Sequence, residues 1–118
     1  PIIASHSGCC SLLWHPRNLP GWLIKEIAQT GGVVCVPFAR RFIGPNWENV
    51  ADHIEHIIQL VGPDHVGVGS DLDGADIADG AGNVAYWSHT VKDELTNRGY
   101  SDEDIDKVAG MNLLRVIG

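Results

Sequence analysis

Three short apolar runs, Ile2-Ile3-Ala4, Val33-Val34-Cys35-Val36 and Val66-Gly67-Val68-Gly69, recur along the chain with helical patterning after each. Runs of this length without polar alternation are those of strands covered on both faces, as in a parallel sheet, and parallel neighbours need a crossover long enough to hold a helix. The intervening segments supply it. Trp22, Leu23, Ile27 and Ala28 have helical spacing after Pro20, and Gly31-Gly32 is the stop. Between Trp47 and Val61 the residues Val50, Ile54, Ile57, Ile58 and Val61 lie on one helical stripe, with Asp52, Glu55 and His56 opposite, and Gly62-Pro63 ends the run. Pro37 closes the second strand, and Pro37 to Pro45 is expected to be loop. After the third strand, the acidic, Gly-rich loop Ser70 to Gly82 leads to two helices. The first runs from near Val84 to Asn97 and is stopped by Arg98-Gly99. The second is capped by Ser101, with Asp104 three residues on. Trp14, Trp22, Trp47 and Trp87 stand at element starts and are expected to anchor packing.

Alternating strands and helices place the chain in the α/β class. Three strands make an incomplete sheet, because a doubly wound domain usually has five or more and an eightfold barrel needs about 250 residues. Residues 1–118 are therefore read as a single partial domain, with further strands expected upstream of Pro1.

Charge and composition narrow the function classes. With 8 Lys+Arg against 15 Asp+Glu the formal net charge is −7, so the chain offers no basic surface for a phosphate backbone, and nucleic acid is excluded as a partner. No apolar run approaches the roughly 20 residues of a membrane span, and the amino end does not read as a secretory leader. Cys9, Cys10 and Cys35 form no CxxC pair, and their odd number argues against a disulfide framework. Free thiols fit a reducing cytosol better than a secreted setting, although so few leave the compartment open.

In parallel α/β folds the functional groups gather at the carboxyl ends of the strands. His6 directly follows the first strand, and Asp71 follows the third with Asp73 two residues on. A His and an Asp at equivalent edges of one sheet suit metal binding or proton transfer, while the plainer reading of His6 is a hydrogen-bonded loop residue. Arg17, in His15-Pro16-Arg17-Asn18-Leu19-Pro20, lies on the loop that begins at His6; it is placed either to grip a substrate carboxylate in bidentate fashion or to make a surface ion pair. Several other motifs fail. An EF-hand starting at Asp71 needs Gly sixth and Glu twelfth, where Asp76 and Gly82 stand. The dinucleotide pattern opened by Gly67 and Gly69 meets Leu72 in place of its third Gly. His53 and His56 are three apart rather than the four of zinc proteases. His53 is expected to hydrogen-bond a loop at the sheet edge, and His56 to share the solvated face with Asp52. Cys9 and Cys10 lie near His6 without the signature of a cysteine nucleophile.

Together, Ile3-Ala4-Ser5-His6-Ser7, His15-Pro16-Arg17-Asn18-Leu19-Pro20, Gly31-Gly32-Val33-Val34, Ala51-Asp52-His53-Ile54-Glu55-His56-Ile57, Gly67-Val68-Gly69-Ser70-Asp71-Leu72-Asp73-Gly74 and Asn112-Leu113-Leu114-Arg115-Val116 resemble, in order and spacing, the carboxyl-terminal part of the membrane (renal) dipeptidase family of zinc peptidases. The resemblance covers nearly the whole chain. It implies the last three βα units of a metal-dependent-hydrolase (β/α)8 TIM-like barrel that hydrolyses dipeptides with two zinc ions. It also implies His6 as a zinc ligand, Arg17 as the holder of the substrate carboxylate, and Asp71 as the residue that takes and returns a proton. The family's remaining ligands, a His-x-Asp, a bridging Glu and another His, would lie upstream, so at most one partial metal site belongs to this chain. The isolated chain is then expected to be inactive, with the dipeptide as substrate and the amino-terminal part of the barrel as its partner. The loop from Pro37 to Pro45 lacks the aromatic-rich sequence common in relatives, and its Arg40-Arg41 pair is read as solvated rather than as a device for acidic substrates. A non-catalytic half-barrel that self-associates or binds another chain is the alternative, because open sheet edges demand cover. Another amidohydrolase-type activity on the same scaffold is a third.

Overall fold

The three apolar runs form one parallel sheet in the order β1 (Ile3–Ala4), β2 (Val33–Pro37), β3 (Val66–Ser70) in the computed structural model, which describes residues 1–70, 78 and 90–118. Ile3 lies opposite Val33, and Val34 and Val36 opposite Val66 and Val68. The register shifts after Val36, at Pro37, whose missing N–H cannot continue the ladder.

β2 is buried along its whole length, as its unbroken apolar sequence requires. β1 differs from the expected buried strand. Ile2 and Ile3 are 53% and 40% exposed, because β1 pairs on one side only and its apolar side chains have little cover among the described residues.

α1 (Gly21–Gln29) starts directly after Pro20 and buries Ile24 and Ile27. α3 (Glu48–Val61) buries Val50, Ala51, His53, Ile54 and Ile57 in the shared core with β2 and α1. Within the stretch expected to be loop, Arg40–Ile43 is a single helical turn, α2. Its Phe42 and Ile43 are buried, and two adjacent apolar residues a turn beyond a strand are enough to fold the chain back onto the core.

α4 (Lys92–Asn97) is the described part of the helix expected from Val84; residues 84–89 lie outside the described residues. Ser101 caps α5 (Asp102–Asp106) as its sequence predicts, its Oγ accepting the Asp104 N–H at 3.1 Å. The closing helix is not continuous. Wider turns over Lys107–Met111, non-helical at Gly110, separate α5 from α6 (Asn112–Ile117). The tryptophans also depart from expectation. Trp14 and Trp22 are 76% and 66% exposed, so only Trp47 of the described three packs against the core, and Trp87 lies outside the described residues.

α6 ties down the amino ends of the strands. The buried Asn112 donates through Nδ2 to the carbonyls of Pro63 (2.7 Å) and Val66 (2.9 Å), and Arg115 donates to those of Gly31 and Asp64. Arg98 joins α4 to α3 through Glu94 and Asp52, each at 2.9 Å. The carboxyl ends of the strands are left to the loops.

Candidate functional site at the carboxyl edge of the sheet

The chain leaves β1 by crossing the end of its neighbour: the Ser7 N–H donates to the Cys35 carbonyl at 3.0 Å. This brings Ser5 and His6 against β3. A Cβ on Gly69 would collide with the Ser5 carbonyl oxygen and press on the His6 ring 3.3 Å away, so only glycine lets the end of β1 lie there. His6 is half-buried, with Nδ1 2.9 Å from Ser5 Oγ. If Nδ1–H donates to that hydroxyl, Nε2 keeps its lone pair, the form a histidine takes as a metal ligand. Nε2 makes no hydrogen bond among the described residues.

Beyond His6 the loop is held by two buried neutral side chains. Asn18 Oδ1 accepts the Gly8 N–H at 2.9 Å, and its Nδ2 donates to the carbonyls of Leu13 (2.9 Å) and Phe42 (2.7 Å). His53, from α3, accepts the Cys9 N–H on Nδ1 at 2.9 Å, and its Nε2 lies 3.2 Å from the Ile43 carbonyl. These partners fix the proton on Nε2, and burial pushes the His53 pKa down to about 4, keeping the ring neutral. Its expected role, pinning a loop at the sheet edge, is what it performs. Gly8 stands at the crossing, where a Cβ would come within 3.0 Å of Asn18 Oδ1, the Phe42 carbonyl and His53 Nδ1. Loop, α2 and α3 thus form one frame.

Arg17 emerges from this frame beside Asn18, its backbone N–H donating to His15 Nδ1 at 3.1 Å. Its guanidinium lies over the Phe42 ring, 5.3 Å from the centroid. Arg41 lies over the same ring at 4.8 Å, and the His15 ring meets it edge-on at 4.7 Å. Both arginines are exposed, and neither has a carboxylate partner among the described residues, so the surface ion pair open to Arg17 is not formed there. Two cations on one ring, with no hydrogen-bond partner for either guanidinium among the described residues, suit an anionic group.

Asp71 and Asp73 lie outside the described residues. Among the described residues no three His, Cys, Asp or Glu side chains stand together as a metal site, so His6 offers one ligand and does not complete a site. Cys9 and Cys35 are no nucleophiles: burial raises their pKa values to about 12 and about 11, so both stay protonated. A polar cleft of about 310 Å³ on α3 is occupied by internal partnerships, His56 with Ser11, Glu55 with Tyr100 and Asp52 with Arg98. No helix of the described residues is long and apolar enough to cross a membrane. Sequence reasoning weighed Arg41 with Arg40 and read both as solvated; it did not foresee that the buried pair Phe42-Ile43, which fastens α2, sets Arg41 on the same ring as Arg17.

Known proteins share this architecture. The chain is 40% identical over 121 residues to the dipeptidase verJ of Clonostachys rogersoniana and 37% identical over 124 residues to the dipeptidase ataJ of Aspergillus terreus; each match covers 99% of this chain. The chain spans 31% and 30% of those relatives' lengths. Among solved structures, a metallopeptidase from Rhodobacter sphaeroides bound to a phosphinate mimic of the dipeptide L-Ala-D-Ala superposes with a TM-score of 0.88 at 30% identity, covering 96% of this chain and 34% of that one. The probable dipeptidase PvdM from Pseudomonas aeruginosa gives 0.87 at 26% identity, covering 98% and 44%. The profile of the membrane dipeptidase family, peptidase family M19, matches residues 1–118, and the chain belongs to that family of metallopeptidases.

Proposed function

We propose that residues 1–118 are the carboxyl-terminal part of a zinc-dependent dipeptidase, supplying the last three βα units of a (β/α)8 barrel. The observation that carries this reading is Arg17, held beside a neutral hydrogen-bonded frame at the carboxyl edge with no carboxylate partner among the described residues. There it receives the free carboxylate of a dipeptide, whose two oxygens match the guanidinium fork. His6 fits as one ligand of a metal site completed by upstream residues, with Ser5 orienting its ring. Bound zinc in such a barrel, two ions in all, supplies carbonyl polarisation and acidifies a water. Asp71, next in sequence after β3, would serve as the group that holds a proton during the attack and gives it to the leaving amine.

The full-length protein loaded with zinc should hydrolyse simple dipeptides and lose that activity to a chelator. The 118-residue chain alone should be inactive. Native mass with bound metal per chain, measured beside the assay, locates the remaining ligands. No hydrolysis by the metal-loaded full-length protein would overturn the dipeptidase reading, and robust turnover by the isolated chain would overturn the partial-barrel reading. The exposed Ile2 and Ile3 on the β1 edge also suit the alternative, a half-barrel covered by a second copy. A metal-free, self-associated and inactive protein is the result that favours it.

A further inference from the structure

Arg17 and Arg41 come from different segments, the loop after β1 and the α2 turn after β2, yet both guanidiniums lie within 5.3 Å of the centroid of one ring. The chain carries 8 Lys+Arg against 15 Asp+Glu, so carboxylates to neutralise them are plentiful. Among the described residues, Arg98 meets Asp52 and Glu94 and Lys107 meets Asp64, while Arg115 donates to backbone carbonyls. Arg17 and Arg41 have no such partner among the described residues. Two like charges on one ring repel each other, and bound anions relieve that repulsion.

The base of Arg41 is fixed as firmly as that of Arg17. α2 is held by its buried Phe42 and Ile43, and the carbonyls of those residues accept from Asn18 Nδ2 and His53 Nε2, the side chains that hold the Arg17 loop. The backbone positions from which the two arginines reach the Phe42 ring are therefore held by one frame. One α-carboxylate has two oxygens and saturates one guanidinium fork, which leaves the second fork for a second carboxylate nearby.

We propose that Arg41 is a specificity-determining residue, selecting dipeptides whose carboxyl-terminal residue bears an aspartyl or glutamyl side chain. Arg17 takes the α-carboxylate and Arg41 the side-chain carboxylate. The inference rests on the dipeptidase reading, and its test separates the two. Zinc-loaded full-length protein is assayed for kcat/KM on Ala-Glu and on its neutral isostere Ala-Gln, at low and high salt. The expected result is a preference for Ala-Glu of on the order of tenfold or more that shrinks with salt, disappears in Arg41→Met, and gives way to a preference for Ala-Lys over Ala-Gln in Arg41→Glu. Circular dichroism checks that both variants fold. If they do not, the wild-type ratio and its salt dependence still decide. Equal kcat/KM for the two dipeptides in the wild type, or a ratio retained in folded Arg41→Met, overturns the proposal while the dipeptidase reading stands. Hydrolysis of neither dipeptide overturns that reading and this inference with it.

Discussion

Arg17 and Asn18 are adjacent in sequence and opposite in circumstance. Asn18 is 4% exposed, neutral, and joined through its side chain to three backbone groups, whereas Arg17 is exposed, charged, and joined through its guanidinium, among the described residues, only to a ring face. The same division separates His53 from Arg41 across the frame. Buried neutral groups with every partner satisfied give fixed geometry, because leaving any one unpaired is costly. The exposed cations have no carboxylate partner among the described residues. The carboxyl edge thus has two layers, one that holds the loops and one proposed to bind.

Substitutions in the two layers should therefore separate stability from activity. The largest loss of stability is expected for Asn18→Ala, which leaves the Gly8 N–H and two carbonyls without partners; about 3–5 kcal/mol is expected, read by urea unfolding of the intact protein. A pH effect of about 3 kcal/mol should follow from His53. Its folded pKa of about 4 lies below the ordinary 6.5, so the unfolded chain binds the extra proton first. Stability from this group is fully present above pH 6.5 and is lost as pH falls towards 4, and His53→Gln should flatten that slope. A smaller loss, about 1 kcal/mol, is expected for Arg98→Met, whose partners are partly solvated, and it should shrink in high salt. Smallest of all, Arg17→Ala should cost under about 1 kcal/mol of stability, the scale of an exposed cation–π contact. A large destabilisation by Arg17→Ala, or none by Asn18→Ala, would erase the division.

Much of the fold was legible because burial leaves a periodic trace. The unbroken apolar run of β2, the stripe of α3 and the Ser101 cap each follow from local sequence and stand as expected. The structural role of His53 was legible from its place beside that stripe. What escaped depended on neighbours distant in sequence. The exposure of β1 reflects what lies beside it, not its own composition. Trp14 and Trp22 are apolar residues left outside, which composition alone cannot announce. α2 is too short to show a period. Arg41 was read as solvated from its type, yet its meeting with Arg17 on Phe42 joins the loop after β1 to α2, which no local pattern connects. His6 and Arg17 were legible as candidates because they follow β1 and occupy its loop, while Asp71 was legible by its place after β3 and lies outside the described residues.

The central claim is that Arg17 grips a free carboxylate. The most direct measurement compares kcat/KM of the zinc-loaded full-length protein for Ala-Ala and for its carboxyl-terminal amide, in the wild type and in Arg17→Ala. The account predicts a wild-type preference for the free acid of roughly a hundredfold, consistent with loss of a bidentate charge-assisted pair, and its collapse in the variant. Equal use of acid and amide by the wild type, or an undiminished preference in Arg17→Ala, would contradict it.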